Sequence, residues 1–313
     1  MPADYYTHLA SQVTDMVLQH FNHPSIIFWG LANEITTDDA NFTKANINNY
    51  TSIIKSYDNE RLVGYVLAQS SVNALATFNY PSVDWVGHNI YVGWYASPNS
   101  NDPSSAINQR LNNGLNNNVA VGYSEYGCGG NILCHSDDPL TTTTRGNNPR
   151  HDIEYQMWLH EGQIAAIKNF PQLAFTSQWV LFDFAVSKRN EGYITCLDGV
   201  TEGPNDETNR RLNDKGLVKR DHITKKDTFY LYKAWWNPTS KFVHICQKNY
   251  EKYTDRVIKC YTNDGTSLSL YVNNTFVETV AVTDNIALFT AANYSSGDVI
   301  RVEGDNTNDT WTI

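Results

Sequence analysis

No apolar run in the 313-residue chain reaches the roughly 20 residues that a membrane-spanning helix needs. The first residues also lack the pattern of a secretory signal, so no membrane partner is expected. Clustered positive charge is missing too. Lys and Arg number 23 against 33 Asp and Glu, a formal net charge of −10. A phosphate-binding surface needs Lys and Arg side by side, so nucleic acid is not the expected partner. Cysteine is scarce: five residues, Cys128, Cys134, Cys196, Cys246 and Cys260, with no CxxC pair of the zinc-holding kind. No metal site is therefore expected. Cys128 and Cys134 lie close enough to pair across a loop, as do Cys246 and Cys260, but free thiols suit the same spacing. Five Asn-x-Ser/Thr sequences are about what chance yields in a chain this rich in Asn, Ser and Thr, and they imply nothing about secretion.

What is present is a globular composition, 41% hydrophobic and 18% charged. Aromatic residues make up 12%, including 19 Tyr and 8 Trp, the side chains that fill cores and also stack on the apolar faces of sugars.

The order of periodicities indicates an α/β fold. Residues 4–21 carry apolar positions at helical spacing and stop at the Pro24 break. "IIFWGLANE" follows as a buried strand. After a helical pattern at 42–57 come the apolar strands "LVGYVLAQ" (62–69) and "VDWVGHNIY" (83–91). A polar, Asn-rich helix and loop precede "VAVGYSEYG". A long helix at 151–170 leads to "AFTSQWVLFDF" (174–184). Strands alternating with helices at this rhythm predict βα units and a parallel sheet. Beyond "WWNPTSK" (235–241) the chain changes to short alternating strands without helices. The expected organisation is residues 1–240 as an α/β domain and 241–313 as a small β-sandwich.

Two strands end in a carboxylate: "LANE" at Glu34 and "GYSE" at Glu125. A single acid at a strand end is commonly a surface residue. Two at the carboxyl ends of parallel strands share one rim, where α/β barrels build active sites. Asn33 stands beside Glu34, where an amide could hold a sugar hydroxyl. A carboxylate pair suits retaining glycoside hydrolysis, in which one group attacks the anomeric carbon and the other donates and later accepts a proton.

Several segments together resemble glycoside hydrolase family 2. "NHPSIIFWGLANE" and "GYSEYG" are similar to its acid/base and nucleophile signatures. "VGHNIYVGWY", "SQWVLFDFAVSKRNEG" and "LNDKGLVKRDHITKKDTFYLYKAWW" are similar to later barrel segments of its β-galactosidases, in the family's order. The resemblance runs over most of residues 5–250. It implies an incomplete TIM (β/α)8 barrel, about strands 4–8, followed by a small immunoglobulin-like β-sandwich.

By position, the resemblance implies Glu34 as acid/base, Glu125 as nucleophile and Tyr91 as a hydrogen-bond donor to the nucleophile. Trp179 would stack on the sugar and Asn33 would contact its 2-hydroxyl. Asn89, Trp94 and Asn190 would also line the substrate site. Core packing is the competing role for Trp94 and Trp179, and a buried histidine is the expectation for His88. The implied activity is double-displacement hydrolysis of β-galactosides. β-Glucuronides are the alternative, since Asn213-Asp214-Lys215 has a spacing suited to a sugar carboxylate and Tyr95 sits in a shared segment. A catalytically inactive truncated barrel is the other alternative. The carbohydrate substrate is the expected partner, together with the missing N-terminal half or a second copy of the chain. No cofactor is required; the resemblance allows a Mg ion without a complete ligand set. Strands 26–34 and 174–184 would then be open edges, with Ile26, Phe28 and Trp179 exposed.

Overall fold

The computed structural model describes residues 4–35, 40–68, 82–96, 102–114, 119–137, 139–142, 151–186, 194–195, 201–202, 211–248 and 257–313. The chain divides into two compact units: Met1–Tyr126 with Gly162–Trp179, and Gly127–Glu161 with Val180–Ile313.

The first unit contains α1 (Tyr5–His20), β1 (Phe28–Asn33), α2 (Ala40–Tyr57), β2 (Leu62–Leu67), β3 (Trp85–Asn89), α3 (Pro103–Gly114) and β4 (Ala120–Glu125). α4 (Pro139–Thr142) belongs to the second unit, α5 (Ile153–Lys168) spans the division, and β5 (Leu173–Thr176) returns to the first. The five strands form one parallel sheet in chain order, β1-β2-β3-β4-β5. β3 is buried at every position, as a parallel strand covered on both faces must be.

Alternation along β1 sends neighbouring rings to opposite faces. Trp29 joins Val17, Ile54 and Val63 in a core under the helices. Its indole N–H donates to Asp58 Oδ2 at 2.9 Å, and Arg61 bonds the same carboxyl. Burial pushes Asp58 upward, but Arg61 and Trp29 outweigh it and hold the group at about 2. Phe28 meets Trp85 at 4.8 Å and Phe175 at 5.0 Å, ring centre to ring centre. Glycine makes room for this cluster: a Cβ on Gly64 or on Gly122 would lie 2.2 Å from the Trp85 or Phe175 ring respectively.

In the second unit, β6 (Phe184–Val186) pairs with β9 (Arg211–Asn213), and β7 (Ile194–Thr195) with β8 (Thr201–Glu202). α6 (Asp227–Trp236) follows, then β10 (Val243–Ile245), β11 (Ile258–Thr262), β12 (Ser267–Val272), β13 (Thr275–Ala281), β14 (Ile286–Phe289), β15 (Val299–Glu303) and β16 (Asn308–Thr312). Two antiparallel sheets, β10-β11-β14 and β13-β12-β15-β16, enclose one core. Ile245, Cys260 and Phe289 meet Leu270, Ile300 and Val302 there, all at 0% exposure.

Several expectations need correction. The apolar run 174–184 is not one strand. It pairs with β4 only as far as Thr176. Farther on, Val180 and Leu181 exchange backbone hydrogen bonds with Lys215, Leu217 and Val218, so a different segment supplies their partners. β14 is short and β16 is polar, so neither stands out in the sequence as an alternating apolar run. Cys246 and Cys260 are free, and the register explains it. Ile245 faces Cys260 across the ladder, so Cys246, one residue on, points to the other side. Cys128 is a free buried thiol and Cys134 is disulfide-bonded, so those two are not paired with each other. Among the described residues β1 and β5 are the two ends of the parallel sheet. Ile26, Phe28 and Trp179 are only half-exposed, while Ile27 is 72% exposed.

Candidate active site

In a parallel sheet every carboxyl end lies along one edge, and three of these ends carry the polar groups. β1 ends at Asn33 and hands the chain to Glu34, whose N–H still donates to Val66 O on β2 at 3.0 Å. β3 ends at Asn89, and β4 ends at Glu125, paired in register with Asn89. The ladders slip just before these residues, between Gly30 and Asn33 and between His88 and Asn89. Such irregularities re-aim side chains at a strand end. Glu34 itself takes φ 51°, left-handed backbone that a non-glycine residue seldom adopts.

Asn89 ties the group together. Its side chain, fully buried, donates to Glu34 Oε1 at 2.8 Å and to Asn33 Oδ1 at 3.1 Å. Its Oδ1 accepts from the Ser124 hydroxyl at 2.8 Å. Tyr91, just past β3, donates its phenol to Glu125 Oε2 at 2.7 Å. Burial, then the Glu125 carboxylate, push the Tyr91 phenol far above its ordinary value, so the proton stays on tyrosine. Each carboxylate is thus held by a neutral donor from the end of β3. Among the described residues no other hydrogen bond reaches the Glu34 carboxyl. An exposed acid with one anchored oxygen can donate a proton. A carboxylate fixed by a phenol can present its charge to an electrophilic carbon.

The other expected residues are distributed as follows. Trp94 is fully buried beside Tyr95, their ring centres 6.3 Å apart. Tyr95 in turn meets Tyr91 at 5.1 Å and is 40% exposed. Trp179 is half-buried, with its backbone N–H on Tyr126 O at 2.9 Å. His88 is fully buried. Asn190 lies outside the described residues. Ser124 was missed by sequence reasoning. Its signal was Gly87 on the neighbouring strand, where an added Cβ would sit 2.6 Å from the Ser124 hydroxyl. Among the described residues no group of three metal-ligand side chains includes Glu34 or Glu125.

In the second unit, Asn213-Asp214-Lys215 is buried throughout. Asn213 Oδ1 accepts from the Lys215 N–H at 3.2 Å, while its Nδ2 is a buried donor with no partner among the described residues. Lys226 reaches Asp183 Oδ1 at 2.9 Å and Asp214 O at 2.7 Å. Burial pushes Asp183 up to about 6 despite Lys226. It pushes Asp214 up as well, but the bonded His151, with Lys226 and Lys215, outweighs burial and holds Asp214 at about 2.

Known proteins resemble this chain along its length. A β-glucuronidase of Bacteroides fragilis is 29% identical over 237 residues, 76% of this chain and 30% of that protein. The crystal structure of an FMN-binding β-glucuronidase from Facaelibacterium prausnitzii L2-6 superposes with a TM-score of 0.80 at 26% identity, covering 100% of this chain and 44% of that one. A Bacteroides fragilis structure described provisionally as a β-galactosidase gives a TM-score of 0.76 at 23% identity over 98% of this chain and 44% of its own, a likeness of fold. The chain therefore spans less than half the length of each of these relatives. Residues 2–239 match the family model described as "Glycosyl hydrolases family 2, TIM barrel domain", and the chain belongs to that family.

Proposed function

We propose that the chain carries the carboxylate pair of a retaining glycoside hydrolase acting on β-glucuronides, with Glu34 as acid/base and Glu125 as nucleophile. The observation that carries the reading is the pair of anchors from the end of β3: Asn89 on Glu34 and Tyr91 on Glu125. In the first half-reaction Glu125 attacks the anomeric carbon while Glu34 protonates the departing oxygen. In the second, Glu34 takes a proton from water, which displaces Glu125 and restores the starting configuration. On this reading Asn33, held by Asn89, contacts the sugar 2-hydroxyl and Trp179 stacks on the sugar face.

The glucuronide reading replaces the expected preference for β-galactosides. It is supported by the names of the two relatives described above at more than 25% identity. We also read β1–β5 as strands four to eight of the family barrel, and the C-terminal sandwich as immunoglobulin-like.

A cyclophellitol aziridine, which traps a retaining nucleophile covalently, tests the reading without requiring turnover. The reagent bearing a C6 carboxylate is expected to label Glu125, located by peptide mass spectrometry, and the neutral galacto-configured reagent is not. Labelling by the galacto reagent alone would overturn the substrate. Labelling of a residue other than Glu125 would overturn the role assignment.

A further inference from the structure

α6 and β10 present a group of side chains that the carboxylate chemistry does not use. Asp227 opens the first turn of α6, and Tyr230 follows three residues later on the same helix face. Val243 and Ile245 face the sandwich core, so His244 between them faces the other way, and Cys246 shares its side of the strand. The His244 ring is fixed from two sides. It lies against Tyr230 at 3.6 Å with an interplanar angle of 11°, and its Nε2 is 2.7 Å from Asp227 Oδ1. Its Nδ1 is 4.0 Å from Asp309 Oδ2. Cys246 is a free, buried thiol. One ligand atom each from Asp227, His244 and Cys246 lies within 4.8 Å of the others.

We propose that Asp227, His244 and Cys246 form a binding site for a divalent transition metal of the zinc type. The donor set decides the class. One imidazole nitrogen, one sulfur and one carboxylate oxygen suit zinc, whereas calcium and magnesium take oxygen almost exclusively. Binding displaces the Cys246 thiol proton to solvent, and the ring proton of a neutral His244 moves from Nε2, which faces Asp227, to Nδ1, which faces Asp309, as the cation enters. Asp309, on the far side of the ring, then positions His244 as an outer carboxylate does in such sites. Water completes a tetrahedral shell. The cation would join the first turn of α6 to β10, a link made at present by the His244–Asp227 bond and by the Gln247 N–H on Asp227 Oδ2 at 2.9 Å.

The 313-residue chain, purified without a polyhistidine tag and stripped with chelator, is titrated with Co(II) and then with Zn(II). One equivalent of Co(II) is expected to produce a thiolate-to-cobalt charge-transfer band, which Zn(II) bleaches. Cys246→Ser removes the band, and His244→Ala weakens binding at least about 100-fold. Asp309→Asn weakens it about 10-fold and leaves the band in place. Cys128→Ser and Cys260→Ser leave band and affinity unchanged. Zn(II) also raises the melting temperature of the wild-type chain and not that of Cys246→Ser, and circular dichroism of the metal-free variants checks that they fold. Absence of the band in folded wild-type protein overturns the proposal, as does a band that survives Cys246→Ser.

Discussion

β1 and β12 are both six-residue strands with apolar side chains, but their neighbours differ. β12 lies between β13 and β15, and its Leu268 and Leu270 are at 1% and 0% exposure. β1 has β2 on one side only among the described residues, and Ile27 at its start is 72% exposed. The sandwich is a self-contained core. The parallel sheet instead keeps polar atoms along one rim and half-covered aromatics beneath. Stability and the proposed chemistry thus fall on different strands, and substitutions should separate them.

The largest effects should fall on rate and spare stability. If Glu125 is the nucleophile proposed above, Glu125→Gln is expected to reduce turnover of a 4-nitrophenyl glycoside by about 10⁴-fold or more, because every substrate needs the nucleophile. Glu34→Gln should lose about 10²–10⁴-fold on substrates with poor leaving groups and far less on the nitrophenyl one. Neither should shift the melting temperature downward. Equal losses on both substrate types for both variants would defeat the assignment.

In the sandwich the balance reverses. Phe289→Ala should cost about 3–5 kcal/mol, measured by urea unfolding, since the ring is fully buried. Phe28→Ala, half-buried at the end of the sheet, should cost clearly less. An equal cost at both positions would show that the parallel sheet is as well covered as the sandwich.

Two buried acids should give opposite pH slopes. Asp214 stands at about 2 against an ordinary 3.8, so the stability it contributes is present above pH 4 and lost as pH falls toward 2, about 2 kcal/mol in all. Asp183 stands at about 6, so the folded state holds its proton more tightly than the unfolded chain does. Stability from that group rises as pH falls from 6 toward 4. In urea midpoints recorded against pH, Asp183→Asn should remove the rise and Asp214→Asn the loss at the acid end.

The smallest effect is expected at the exposed end of the sheet. Ile27→Thr should change stability by no more than about 0.5 kcal/mol, and if the chain self-associates through this end, light scattering should show less association. Unchanged association would show that this end of the sheet is not the adhesive surface.

The elements with a strong period were legible in the sequence. Apolar runs ending in Glu34 and Glu125 marked β1 and β4, and the alternation after residue 240 marked most of the sandwich. Tyr91 was assigned to Glu125 by resemblance, and the bond is present. What escaped depends on partners distant in sequence. The run from Leu173 to Phe184 splits because residues 215–218 take over its backbone groups, which no local pattern records. Asn89 gave no sign that one amide would reach both Asn33 and Glu34, because that follows from two ladder slips. Ser124 is visible only through a glycine on the neighbouring strand.

The left-handed backbone at Glu34 sets selection for robustness against selection for activity. A non-glycine residue held at φ 51° carries on the order of 1–2 kcal/mol that glycine would not. Glu34→Gly should therefore yield a protein that is as stable or more stable and, on the proposed reading, lacks the acid that poor leaving groups need. A library of this chain ranked by melting temperature would promote the variant that has lost the proposed proton donor. Any thermostabilising campaign would have to hold residue 34 fixed and look for its gains in the sandwich.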